Sequence, residues 1–226
     1  MTDRTKLILN TIIKEHIKTG APVGSSVLVE KYQLDVSPAT VRNEMAELES
    51  EGYIAQPYTS AGRVPTEQAF NLYIENLSEK KLNKAEINLL DNISQGSDDL
   101  NLKQIAKTMA GISNNAVFWA FEKHNLYYTG ISNLLRQPEF SQTNLIYDIS
   151  AIIDRVDEII GEIFDEIKYE PQILLGSKNP FGDFLGIVLT KYKIKNKIGM
   201  FGILGPMRMD YEKNLAVMQY IQDKIL

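Results

Sequence analysis

Residues 37–63, SPATVRNEMAELESEGYIAQPYTSAGR, constrain this chain more than any other stretch, because they specify a capped helix that runs directly into a short hairpin. Ser37 can accept a hydrogen bond from the first turn, and Pro38 suits the first helical position, where an amide has no intrahelical partner anyway. Gly52 closes the helix. Val41, Met45 and Leu48 recur at spacings of four and three, which gathers them on one face for burial. At about 100° per residue, Ala39, Arg42, Asn43 and Ala46 fall on the opposite face, with Thr40 at its flank.

Those outward side chains match what a DNA groove offers. Arginine can donate a bidentate pair to guanine, asparagine can pair with adenine, and small residues let the backbone approach base edges and the thymine methyl. In a helix-turn-helix the first turns of the second helix enter the major groove, which makes Ser37, Ala39, Thr40, Arg42 and Asn43 candidate contacts. On residue types alone, a solvated helix face is the plain alternative. The flanking segments favour the groove. Upstream, Leu9, Ile12, Ile13 and Ile17 form a stripe on a first helix ending at Gly20, and Ser25 or Ser26 starts a short second helix through Lys31. Downstream, residues 53–56 read as a strand, Arg63 and Val64 begin the returning one, and Pro57 and Gly62 bracket the tip. Thr59, Ser60 and Arg63 then sit where a wing would meet phosphates or a minor groove.

Residues 20–66, GAPVGSSVLVEKYQLDVSPATVRNEMAELESEGYIAQPYTSAGRVPT, closely resemble the N-terminal winged helix of the HrcA family of heat-inducible transcription repressors. TGISNLLRQPEF at 129–140, GSKNPFGDF at 176–184 and IGMFGILGPMRMDY at 198–211 resemble stretches of that family's C-terminal domain. The resemblance implies a bacterial cytoplasmic repressor that binds double-stranded DNA, at an inverted-repeat operator upstream of chaperone genes, as a homodimer. It also implies the GroE chaperonin as a partner that assists folding into the active form, so that heat derepresses transcription. Family members are generally longer and carry an inserted dimerising domain before the TSNLL-like stretch. Here only residues 78–128 occupy that space, enough for two helices and a hairpin, so the chain reads as a shortened member.

Composition fits two soluble domains in 226 residues with 44% hydrophobic content. The absence of cysteine excludes disulfides and thiolate metal sites and suits a reducing cytoplasm. No signal peptide is evident, and the longest uncharged apolar run, 198–207, is far too short to span a membrane. Charge is the awkward feature. The formal net charge is −5, and residues 1–65 alone carry seven Lys and Arg against eight acids, where a nucleic-acid-binding domain usually shows a basic surface. Several acids lie toward the far end of the reading helix, and a dimer needs only local cations and backbone amides at phosphates.

Beyond residue 65 the pattern changes. Thr66 can cap a connector helix bearing Phe70, Tyr73, Ile74 and Leu77, and the charged step at 78–81 marks a joint. The organisation read from sequence is a winged helix-turn-helix at 1–65, a connector at 66–82 and a C-terminal domain at 83–226. In that last part, Ile87, Leu90 and Ile93 mark one helix and Leu102, Ile105, Ala106 and Met109 another; a hairpin follows at 116–121 and 126–131. A single long helix is expected over 144–167, strands at 172–175, 186–193 and 197–204, and a closing helix from Asp210 or Tyr211 to Ile225. The class is α+β with an antiparallel sheet and flanking helices, and the family resemblance implies that this domain is GAF-like.

Catalysis finds little footing. His16 and His124 are the only histidines, one on the first helix and one in a hairpin turn, and no metal-ligand spacing occurs. Gly199, Gly202 and Gly205 lack the Gly-Lys-Ser/Thr of a phosphate loop and instead suit tight strand packing. Asp210 suits a helix cap, with Arg208 pairing to it or to another acid. No enzyme activity, cofactor or metal is expected. A chaperone-gene repressor is the leading reading; a small-molecule-responsive regulator and a winged-helix protein-interaction module without DNA binding are the alternatives.

Overall fold

Thr2 opens the first helix by accepting a hydrogen bond from the Thr5 amide, and α1 (Asp3–Thr19) stops where Gly20 turns left-handed at φ 66°. The structure, a computed structural model, describes residues 1–78, 80–93, 98–141 and 143–224. Glu79 of the charged step and Ile225 at the expected end of the closing helix lie outside the described residues. The chain divides into two units, Met1–Leu77 and Ser78–Leu226.

In the first unit, α1 is followed by α2 (Ser25–Tyr32) and α3 (Pro38–Ser50). Ser37 caps α3 through its hydroxyl, which accepts from the Thr40 amide at 3.1 Å, and Pro38 occupies the first turn. Val41, Met45 and Leu48 are buried together with Ile8, Leu9, Ile12, Ile13 and Leu28. Ile17, expected in the stripe, is only half-buried, while Ile8, one turn before Ile12, is buried. After Gly52 (φ 83°), β1 (Ile54–Ala55) pairs antiparallel with β2 (Val64–Pro65). The strands are shorter than expected. Arg63 bridges Val23 instead, with each amide donating to the other's carbonyl at 2.8 and 2.9 Å. Thr66 caps α4 (Glu67–Glu75) and also donates its hydroxyl to the Gly52 carbonyl, tying the returning strand to the end of α3. Phe70 and Tyr73 on α4 are buried inside this unit.

The second unit begins with α5 (Lys84–Asp91), held by a reciprocal capping box between Asn83 and Glu86, and α6 (Asp99–Ser113), capped by Asp98. The strands β3 (Ala116–Glu122), β4 (Asn125–Thr129), β5 (Gln172–Leu175), β6 (Leu185–Ile194) and β7 (Lys197–Pro206) form one antiparallel sheet in the order β4-β3-β7-β6-β5. One sheet face supplies Phe118, Ala120, Ile187, Leu189, Met200 and Leu204 to a core closed by the helical segments at 131–167. On the other, Trp119 stacks on Phe201 at 4.5 Å and donates its indole N–H to the Tyr192 hydroxyl at 2.8 Å. The helices α6 and α10 (Tyr211–Lys224) pack against β3 and β6.

The glycines of β7 are explained by this packing. A Cβ at Gly199 would lie 2.3 Å from the Tyr192 hydroxyl, and one at Gly202 would lie 2.6 Å from the Phe118 ring, so a side chain at either position would displace an aromatic.

The long helix expected over 144–167 is instead two, α8 (Thr143–Asp154) and α9 (Val156–Ile163), separated by Arg155 at φ −114° and ψ 12°. The Arg155 amide reaches back only three residues, to Ile152. Breaking the axis lets Ile149 on one helix and Ile159 and Ile160 on the other enter the same core. A further short helix, α7 (Ile131–Leu135), starts at Gly130, in a left-handed conformation at φ 76°, where a strand was expected to continue to Ile131.

Candidate nucleic-acid interface

The Val41/Met45/Leu48 stripe settles which way α3 faces: with those three buried, Ala39, Arg42, Asn43 and Ala46 are exposed, as is Ser37, and Thr40 is half-buried. Neither the Arg42 guanidinium nor the Asn43 amide has an ion-pair or hydrogen-bond partner among the described residues. Ser37 is less free, because its hydroxyl is shared between the Thr40 amide and the Thr40 hydroxyl at 2.9 Å. Thr59 and Ser60 are exposed at the hairpin tip, where Ser60 is left-handed at φ 68°.

Arg4 and Lys31, by contrast, are held by acids. Glu44 is buried on α3, where it accepts from the Thr5 hydroxyl at 2.5 Å and pairs with Arg4, both on α1. The Thr5 hydrogen bond and the Arg4 guanidinium hold its carboxyl below the usual glutamate range. Glu15, also buried, takes Lys31 at 2.5 Å and the Tyr32 hydroxyl at 2.8 Å, so that α1 is pinned to α2 as well. The Lys31 hydrogen bond is the largest influence lowering the Glu15 pKa, and burial, together with hydrogen bonding to Glu15, pushes Tyr32 up to about 12. Each acid, ionised beside its partner, cancels that cation's charge, so Arg4 and Lys31 offer little net charge to a phosphate.

Arg63, expected as a wing cation, is engaged by the reading helix. Its Nε donates to Glu49 Oε2 at 2.9 Å, a second guanidinium nitrogen lies 2.8 Å from the same oxygen, and a third is 3.4 Å from the Ala61 carbonyl. No sequence signal joins residues 49 and 63; only the fold does.

Arg42, Ser60 and Arg63 line one open cleft of about 410 Å³, together with Ser25 and Ser26 at the start of α2 and Gln56 of the hairpin. Ser37, Ala39, Thr40, Asn43 and Thr59 lie outside that lining. Ser25 and Ser26 read in sequence only as a helix start, and Gln56 as the end of a strand. In the structure Gln56 also holds the hairpin tip, its side-chain amide donating to the Ala61 carbonyl at 3.2 Å. Among the described residues no group of His, Asp or Glu could hold a metal ion, and no helix is long and apolar enough to cross a membrane.

The fold and this site define an α+β protein whose first unit presents an unengaged polar helix face beside a short hairpin. The HrcA protein C terminal domain family matches residues 40–215, and the chain belongs to the HrcA family. The "Heat-inducible transcription repressor HrcA" of Thermobifida fusca is 34% identical over 173 residues, covering 74% of this chain and 50% of that protein, so the chain spans half the length of this relative. The repressor of the same name from Carboxydothermus hydrogenoformans is 23% identical over 326 residues, covering 97% of this chain and 95% of the relative. That alignment is longer than the 226 residues present here, so the relative holds residues with no counterpart in this chain. A crystal structure described only as that of a hypothetical protein superposes with a TM-score of 0.80 at 16% identity, covering 100% of this chain and 97% of that one. At that identity it speaks for the fold alone.

Proposed function

We propose that the chain is a sequence-specific DNA-binding transcriptional repressor of heat-shock genes, with residues 1–65 acting as a winged helix-turn-helix and α3 as its reading helix. The observation that carries this reading is the contrast within the first unit: Arg4, Lys31 and Arg63 are held by acids, while Arg42 and Asn43 stand exposed and unpartnered on the outward face of α3. A free guanidinium beside a free amide is what direct base readout needs. Ala39 would meet base edges closely, while Ser37, Thr40, Thr59 and Ser60 would contact the sugar-phosphate backbone. The names of the relatives support repression and heat induction.

An inverted-repeat operator requires two-fold symmetry, because two reading helices must reach half-sites related by the same axis. The proposal therefore includes a cytoplasmic homodimer on DNA, with residues 66–82 as connector and 83–226 as a GAF-like regulatory and dimerising domain. Phe70 and Tyr73 are buried within the first unit, so the dimer contact is assigned to the C-terminal unit. Partnership with the GroE chaperonin rests on the family resemblance. The apolar pocket lined by Phe118, Tyr128, Ile153 and Phe181 holds about 20 Å³, room for one water-sized body, and gives no support to a small-molecule effector.

Sedimentation of the full chain with and without an inverted-repeat duplex tests the assembly. Two chains per duplex are expected; one chain per duplex, with a monomer in free solution, contradicts it.

A further inference from the structure

We infer that Arg63 is a positioning residue, whose ion pair with Glu49 sets the hairpin against the reading helix, instead of a cation that grips phosphate. The inference rests on the DNA-binding reading and assigns the cleft beside α3 a different division of labour. Three contacts converge on residues 61–63. The backbone of Arg63 exchanges two hydrogen bonds with Val23, in the segment between α1 and α2. A Cβ at Gly62 would come within 2.5 Å of the Val23 carbonyl carbon and oxygen, so only glycine lets the hairpin lie this close to that segment. The side chain of Arg63 then holds Glu49 of α3 through two nitrogens, with 21% of the arginine and 35% of the glutamate side chain exposed. The root of the hairpin is thereby joined both to the segment between α1 and α2 and to α3.

Charge leads to the same assignment. Binding to DNA gains from cations whose neutralisation of phosphates releases counterions. A guanidinium already neutralised by a carboxylate at 2.8 Å adds no net charge at that place. A phosphate drawn to Arg63 would also face Glu49. Arg42, which has no such acid among the described residues, is the cation of the cleft lining that remains available.

The test is a charge swap in the full chain, Glu49→Arg with Arg63→Glu, compared with Arg63→Ala and the unmodified protein. Binding is read on a duplex that the unmodified chain selects from a random library. Arg63→Ala should weaken binding about five-fold, the scale of one partly buried pair. The swap, which keeps the pair and the net charge, should return affinity to within about two-fold. A swapped protein that binds as weakly as Arg63→Ala, or more weakly, overturns the inference, because a phosphate-gripping arginine cannot be replaced by glutamate. Amide hydrogen exchange in the DNA-free protein gives an independent arm. The Val23 and Arg63 amides should exchange faster in Arg63→Ala and recover in the swap, and unchanged rates in Arg63→Ala also overturn it. Failure of the unmodified chain to select any duplex would defeat the DNA-binding reading instead, and the exchange arm would still decide whether the pair anchors the hairpin.

Discussion

The two units solve the same packing problem with different materials. The first has a small, mostly aliphatic core supplied by its helices, with Phe70 and Tyr73 of α4, and it buries two carboxylates, Glu15 and Glu44, each tied to cations or hydroxyls on a neighbouring helix. The second builds on a five-stranded sheet, with a wholly apolar cluster on one face and the Trp119, Tyr192 and Phe201 rings on the other. Its one buried charged residue among those described, Arg208, is held by Glu139 and Gln137. Apolar contacts are non-directional and tolerate small shifts, whereas buried ion pairs demand one geometry. The first unit, for which a reading helix is proposed, relies more on the directional material.

The largest effect that could break this comparison lies in the sheet. Replacing Trp119 by alanine removes a ring stacked on Phe201 and the donor to Tyr192. It should cost about 3–5 kcal/mol in urea denaturation followed by circular dichroism. A loss below about 1 kcal/mol would mean that the aromatic stack is not what holds that face. The next effect lies in the first unit, where Glu44→Ala takes away the acceptor of the buried Thr5 hydroxyl, leaving it only the Thr2 hydroxyl, and unties Arg4. About 1–3 kcal/mol is expected, measured by hydrogen exchange at α3 amides.

Acid sharpens the contrast. Glu15 and Glu44 have folded pKa values below the ordinary glutamate value, so their contribution is present above about pH 4.3 and is lost as pH falls through the lowered folded values. Protection of α1 and α3 amides should decline in that window, and the double variant Glu15→Gln, Glu44→Gln should flatten the decline. An unchanged pH profile in the double variant would assign the acid sensitivity elsewhere. The smallest effect is expected at Arg155, whose pair with Glu158 is well exposed; Arg155→Ala should shift stability by no more than about 0.5 kcal/mol.

What the amino-acid sequence revealed follows the range of the interactions involved. The buried stripe of α3, the Ser37 cap and the Gly20 stop are contacts within a turn or two, and they are readable because helix periodicity and capping are local. Nothing local marks Glu44 as buried, because its partners, Thr5 and Arg4, are some forty residues away. The Glu49–Arg63 pair was invisible for the same reason, and with it the engaged state of a cation expected at phosphates. In the second unit, the isoleucines from 149 to 163 keep a helical period straight through the break at Arg155. No proline or glycine marks that break, which follows from how two helices share one sheet face. The availability of Arg42 and Asn43, on which the proposed function depends, combines a local fact, their side of α3, with a non-local one, the absence of an acid opposite them.

The measurement that tests this account most directly is the binding of the unmodified chain, Arg42→Ala and Asn43→Ala to an inverted-repeat duplex and to its scrambled counterpart across a range of salt concentrations. The unmodified chain should prefer the inverted repeat. Each variant should lose about 1–3 kcal/mol of that preference, with specificity relaxed at one position in each half-site. Variants that discriminate between the two duplexes as strongly as the unmodified chain would contradict the assignment of α3 as the reading helix.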